Sequence, residues 1–233
     1  MITIIRNVFN DLIGFNLKSK HGSAQWLINK EVQYGGIHKN VPRNKVSPYD
    51  PRSEIEIFAG GMTGGDRMRH HGYARFYEKY LRQYACSAAP ITLVEVGILR
   101  GVGLSIWCDL FPNSRIVGLD IDLEHFRGNR HVLESKNAFM FNSPEIYEFD
   151  QFIDNRSLIG EIVGHDKIDI FIDDGFHSIE SITITLNSVR DYLAENFVYF
   201  IEDNADVGEL LINKCPEYDV HVHDELTVLT RKI

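Results

Sequence analysis

From residue 90 onward the chain alternates between short apolar runs and longer mixed segments. The runs "ITLVEVG", "SRIVGLDI", "NAFMFN", "KIDIFIDD" and "NFVYFIED" read as strands, and their near-continuous apolar character predicts burial on both faces. Helix-length segments separate most of them, an order that predicts a parallel sheet with helices on both faces. The final stretch, "DVHVHDELTVLTRKI", predicts two short strands about a tight polar turn. The expected fold is therefore α/β: a Rossmann-like, mostly parallel seven-stranded sheet ending in an antiparallel hairpin.

One segment pulls two ways. "SIESITITLNSVRDYL" is rich in Ile and Thr, which favour strands. Yet Ile179, Ile182, Leu186, Val189 and Leu193 share a helical face, and a parallel sheet needs a crossover there. A helix is the expectation. Residues 1–65 lack the alternation and hold Pro and Gly clusters, so they read as an N-terminal extension of helices and loops. Such an extension suits a cover over a site or a contact in a homo-oligomer. Residues 66–233 form the predicted main domain. It opens with "HHGYARFYEKYLRQY", a helix with Tyr73, Tyr77, Tyr80 and Tyr84 three and four residues apart.

Composition narrows the partners. Of 233 residues, 24 are basic and 33 acidic, a net charge of −9, which argues against nucleic acid or an anionic membrane surface as partner. Cys86, Cys108 and Cys215 form no metal or disulfide spacing. No apolar run reaches membrane-spanning length and the N-terminus lacks a signal-peptide layout, so the chain reads as cytoplasmic.

The first candidate chemistry lies after the first strand. "VEVGILRGVGLSIW" sets Glu95, Gly97, Gly101 and Gly103 between strand and helix, where glycine lets backbone amides approach a ligand. Its GxxxGxG spacing differs from the GxGxxG of dinucleotide sites. The second strand ends in "GLDID", which places Asp120 to accept from a ribose diol. A tight turn with a helix-capping aspartate is the plainer alternative.

These motifs resemble class I S-adenosylmethionine-dependent methyltransferases, and in particular the metal-dependent sugar O-methyltransferases of the macrocin and mycinamicin type. The resemblance spans roughly residues 60 to 205 and rests on "GGMTGGDRMRHHGYARFYEKYL", "LVEVGILRGVGLSIWCDLFPNSRIVGLDID", "IDIFIDDGFHS" and "FIED". It implies that Glu95, Gly97 and Gly101 shape the methionine end of a cofactor pocket while Asp120 holds the ribose. Thr63, in a loop covering the cofactor, becomes a contact. Gly103 stands where the family commonly has serine, which leaves Ser105 as a replacement hydroxyl for the cofactor carboxylate. Near the adenine, where the family usually carries aspartate, "MFNSPE" offers Asn142 and Ser143.

The second candidate site combines two strand ends. "DIFIDD" and "FVYFIED" close the fourth and fifth strands, and adjacent parallel strands lie about 5 Å apart. Asp174, Glu202 and Asp203 then meet in the crevice where α/β sheets bind ligands. Three carboxylates so close need a counter-charge, and Mg²⁺ with oxygen ligands is the expected one. His177, three residues after Asp174, is placed to accept a proton from a substrate hydroxyl. Asp173 supports the turn or the cofactor side, and Phe176 replaces the family's serine. Taken singly, each residue also suits turn or capping duty.

The combined expectation is a Mg²⁺-dependent O-methyltransferase using S-adenosylmethionine on a sugar or glycan with neighbouring hydroxyls. Two other classes share parts of this pattern. An NAD(P)-dependent sugar oxidoreductase or epimerase would use Asp120 and the sheet, and a non-catalytic binding protein could stand on a methyltransferase scaffold. Cofactor binding separates all three.

Overall fold

The computed structural model describes residues 19–36, 65–87 and 89–232. Among these, seven strands form one sheet in the order β3-β2-β1-β4-β5-β7-β6. The strands are β1 (Thr92–Val96), β2 (Arg115–Asp120), β3 (Glu145–Glu148), β4 (Ile168–Asp173), β5 (Leu193–Ile201), β6 (Tyr218–His223) and β7 (Leu226–Arg231). β1 to β5 pair in parallel, whereas β7 runs antiparallel to β5 and to β6. The mostly parallel sheet and its closing hairpin match the sequence expectation.

Among the described residues seven α-helices accompany the sheet: α1 (Ala24–Gly35), α2 (Ala74–Ala85), α3 (Val102–Leu110), α4 (Glu124–Ser135), α5 (Arg156–Val163), α6 (Ile179–Val189) and α7 (Val207–Lys214). Successive strand residues point to opposite faces, so each strand feeds two cores. Leu93, Ile170, Ile172, Val198 and Phe200 pack with α1 to α4. Val94, Val96, Phe171, Tyr199 and Ile201 pack with α5 to α7. Glu95 falls between Val94 and Val96 and therefore faces the α1–α4 side.

α1 lies within the predicted N-terminal extension and packs against α2 and α3. Ser23 caps it by accepting from Trp26 N, and Leu27 and Tyr34 enter the core. Among the described residues no helix is long and apolar enough to cross a membrane.

The third strand departs from the sequence reading. Residues 137–142, the run "NAFMFN", form turns after α4, with Asn137 and Phe139 at φ 68° and 62°. The third strand follows at Glu145–Glu148, a half-buried edge strand paired on one side only. Its polar-rich run lacks the apolar signature of a central strand, and Phe139 reaches the core from a turn instead. The Ile/Thr-rich segment is helical, as expected, because Ser178 accepts from Ser181 N at the helix start and Ile182, Leu186 and Val189 are buried. Ile179 is exposed, and Leu193 is buried as the first residue of β5 rather than the last of the helix.

Candidate active site at the carboxyl ends of β1, β4 and β5

The sheet register brings the predicted residues together. Val96 pairs with Asp173, and Asp173 with Ile201, so the next residue on each strand also aligns. Asp174 N donates to Val96 O and Glu202 N to Asp173 O, both at 2.9 Å. Gly97 has to be glycine at this junction: it lies at φ 85°, and a Cβ there would stand 1.8 Å from Asp174 O. Asp174, Glu202 and Asp203 thus share one crevice at the strand ends.

Their principal counter-charge is a residue that sequence reasoning did not single out. Arg67, 6% exposed, extends its guanidinium among Glu95, Asp174 and Glu202. Nη1 lies 2.6 Å from Glu95, Nη2 2.7 Å from Asp174, and Nε 2.7 Å from Glu202. The rings of Tyr77 and Trp107 lie 5.8 and 5.5 Å from its central carbon. Arg67 stands in "GGDRMRHHGY" at the head of the tyrosine-rich helix, but nothing in that stretch marks it apart from its neighbours Arg69 and His70. The same contacts account for glycine at position 103. A Cβ on Gly103 would lie 2.4 Å from Glu95 Oε1 and 2.8 Å from Arg67 Nη1.

A layer from α2 and its approach surrounds the acids. Tyr73 Oη donates to Asp203 at 2.7 Å and Tyr77 Oη donates to Glu202. His71 is buried, with Nδ1 3.3 Å from Asp203 and Nε2 3.6 Å from Asp66. Burial disfavours its charge, but Asp66, Asp203 and Glu202 outweigh that and raise its pKa to about 9.

Burial and the neighbouring Glu202 push the Asp174 carboxyl well above the usual range, against the opposing pull of Arg67. Glu202 is raised by burial to about 7, again with Arg67 opposing. Ligand atoms of Asp174, His177 and Asp203 lie within 4.8 Å of one another, as do those of His71, Asp203 and Glu225. Hard carboxylate oxygens so grouped fit a divalent cation. Glu202, the third expected ligand, directs its carboxylate to Arg67 and Tyr77.

His177 occupies a left-handed backbone position, φ 64°, as does Asp203 at φ 57°. Its Nδ1 is 3.3 Å from Glu202 O and its Nε2 4.0 Å from Asp174 Oδ1. Asn204 Nδ2 donates to His177 O at 2.7 Å and ties the two loops together.

The expected cofactor residues have varied surroundings. Asp120 ends β2 and accepts from Leu99 N and Asp122 N, which fixes the glycine loop beside it. Gly101 takes φ 80° before α3, where a Cβ would meet the Phe126 ring. Glu95 Oε2 is buried without a hydrogen-bond partner. Ser105 donates to Gly101 O within its own helix. Asp173 accepts from Gln151 Nε2 at 2.9 Å and from Tyr199 Oη at 3.3 Å, a structural role at the turn. Burial raises its pKa.

Asn142 stands at the opposite end of the sheet, where Nδ2 donates to Phe111 O and Ser114 O beside the start of β2. The later start of β3 is the reason, since residue 142 enters that strand instead of leaving it. Residues 149–151 leave it, and among them Gln151 was missed. Gln151 also accepts from Phe176 N at 2.7 Å and donates to Thr185 Oγ1 at 3.0 Å. Thr63 lies outside the described residues.

Comparison with solved structures finds this architecture in MycE, a methyltransferase from the mycinamycin biosynthetic pathway. The complex of MycE with Mg and SAH aligns with a TM-score of 0.56 and 18% identity, covering 76% of this chain and 58% of that one. The complex that also holds mycinamycin VI gives a TM-score of 0.56, 18% identity and coverage of 76% and 57%. The chain therefore has a methyltransferase fold and spans less than three fifths of these neighbours' length. No protein-family model and no curated protein matches the sequence.

Proposed function

We propose that this protein is a Mg²⁺-dependent O-methyltransferase that carries a methyl group from S-adenosylmethionine to a sugar hydroxyl, in a natural-product glycoside or a surface polysaccharide. The observation that carries the reading is the convergence of Asp174, Glu202, Asp203 and His177 at the carboxyl ends of β4 and β5 in this fold. The neighbour MycE binds Mg and SAH, and one of its complexes holds mycinamycin VI, which supports a small-molecule acceptor. In this reading residues 66–233 carry the transferase, and the N-terminal 65 residues contribute a cover or an assembly contact.

When bound, S-adenosylmethionine supplies an electrophilic methyl group and the cation lowers the pKa of a neighbouring hydroxyl. Asp174 and Asp203 would hold the cation, and Glu202 would join them where its contact with Arg67 loosens. Glu95, with one buried oxygen lacking a partner, accepts from the ammonium at the methionine end. Gly97 and Gly101 shape the loop around it, and Asp120 holds the ribose. His177 removes the acceptor's proton. An Nδ1–H donated to Glu202 O leaves Nε2 as the acceptor nitrogen. Alignment of hydroxyl and methyl group supplies much of the remaining rate enhancement.

The test pairs binding with turnover. S-adenosylhomocysteine should bind by calorimetry where NAD(P)H does not, and methyl transfer to glycosides with vicinal hydroxyls should stop in EDTA and return with Mg²⁺. Binding of NAD(P)H alone would select the oxidoreductase class. Full turnover in EDTA would remove the metal, and no binding of either cofactor would leave a non-catalytic scaffold.

A further inference from the structure

The charge balance at the strand ends raises a question about Arg67. A resident guanidinium touches Asp174 and Glu202, two of the three carboxylates assigned to the cation above, and this inference rests on that assignment. The arrangement has the marks of a built contact. Arg67 is buried, its three engaged nitrogens each face a different carboxylate, and two aromatic rings flank it. Gly103 provides the space, since any side chain there would collide with Glu95 Oε1 and Arg67 Nη1. Glu31 fastens the following residues by accepting from Met68 N at 2.6 Å and Arg69 N at 2.8 Å.

The two oxygens of Asp174 face different side chains. Oδ2 meets Arg67 at 2.7 Å, while Oδ1 faces His177 at 4.0 Å. Glu202 is committed further, with its carboxylate between Arg67 Nε and Tyr77 Oη. A carboxylate bonded to a guanidinium is a weaker cation ligand, because the ion pair has to loosen first and the two positive charges repel.

We propose that Arg67 is a resident counter-cation that competes with the divalent ion for Asp174 and Glu202. It keeps the acid cluster assembled without metal and thereby sets the affinity of the site. Removing its charge raises metal affinity and makes folding dependent on the metal.

Mn²⁺, counted free and bound by electron paramagnetic resonance, is a suitable probe, with thermal unfolding in EDTA and in MgCl₂ as the second readout. Arg67→Gln is expected to bind Mn²⁺ more tightly than the wild type by about tenfold or more, within the usual range for coupled sites. Its melting temperature should fall in EDTA and recover with MgCl₂, whereas the wild type should respond weakly. Should Arg67→Gln not fold in EDTA, Gly103→Ser, which displaces the guanidinium while retaining Arg67, is expected to tighten Mn²⁺ binding in the same direction. Equal or weaker Mn²⁺ binding by both variants would overturn the proposal, as would a lack of Mn²⁺ binding by wild type and variants alike. Binding by the variants alone would support the competition while removing metal dependence from the proposed reaction. S-adenosylhomocysteine binding, measured in parallel without metal, reports on the transferase reading separately.

Discussion

Left-handed backbone at a non-glycine residue costs on the order of 1 kcal/mol or more and persists where the surroundings over-determine it. His177 and Asp203 both adopt it at the strand ends, and Asn204 holds the carbonyl of His177. This geometry presents the imidazole to the crevice, so His177→Ala should lower kcat by roughly 10²–10⁴-fold, the usual contribution of a general base. S-adenosylhomocysteine affinity should stay unchanged by calorimetry, and a variant with wild-type kcat would remove the base role. Asn142 gives the opposite expectation. Its Nδ2 ties the approach to β3 to the carbonyls of Phe111 and Ser114 between α3 and β2, so Asn142→Ala should cost roughly 1–2 kcal/mol in denaturant unfolding. Cofactor affinity should not change, and a loss of affinity would return Asn142 to the adenine side.

At the scale of elements, α2 works as a strut between the candidate site and the sheet. Its approach and its length carry tyrosines at 73, 77, 80 and 84 whose hydroxyls reach Asp203, Glu202, His223 and Asn196 O in turn. The spacing of three and four was legible as one helical face; the partners were not, because they come from distant strands. The strand-end pairing of Asp174 with Glu202 was legible, since parallel neighbours align by geometry alone. Arg67 was not, because its role depends on the packing of α2 and α3 over the sheet, which no local period encodes. The third strand was misread for a related reason: an edge strand half in water has no apolar run to announce it. Gln151, which follows that strand, joins Asp173, Phe176 N and Thr185 and so fixes the loop that carries His177. Gly175 permits the approach, because a Cβ there would lie 2.0 Å from Gln151 Oε1. Gln151→Ala should therefore lower kcat while leaving S-adenosylhomocysteine affinity intact. Steady-state kinetics with calorimetry checks this, and unchanged kcat would show that the loop holds without it.

Across the whole molecule, buried titrating groups on the α1–α2 side tie stability to pH. Glu31 of α1 is held by burial at a pKa of about 8 against an ordinary 4.5, with its hydrogen bonds to Met68 and Arg69 opposing. His71 is raised from 6.5 to about 9, its acidic neighbours outweighing burial. Both folded values exceed the unfolded ones, so the folded protein retains protons that the unfolded chain releases. The Glu31 contribution is complete below pH 4.5 and declines as pH rises through 8; that of His71 is complete below 6.5 and declines through 9. Stability in EDTA should therefore fall as pH rises from about 5 to about 9, by up to ~1.4 kcal/mol per pH unit for each differing proton. Glu31→Gln removes one titrating group and should reduce the slope between about pH 4.5 and 8, leaving His71 and the raised carboxyls Asp174 and Glu202 to carry the remaining decline. Urea unfolding at a series of pH values measures the slope. A wild-type stability that stays flat or rises from about pH 5 to 9 would contradict the raised values, because a group with the same pKa in both states contributes no slope.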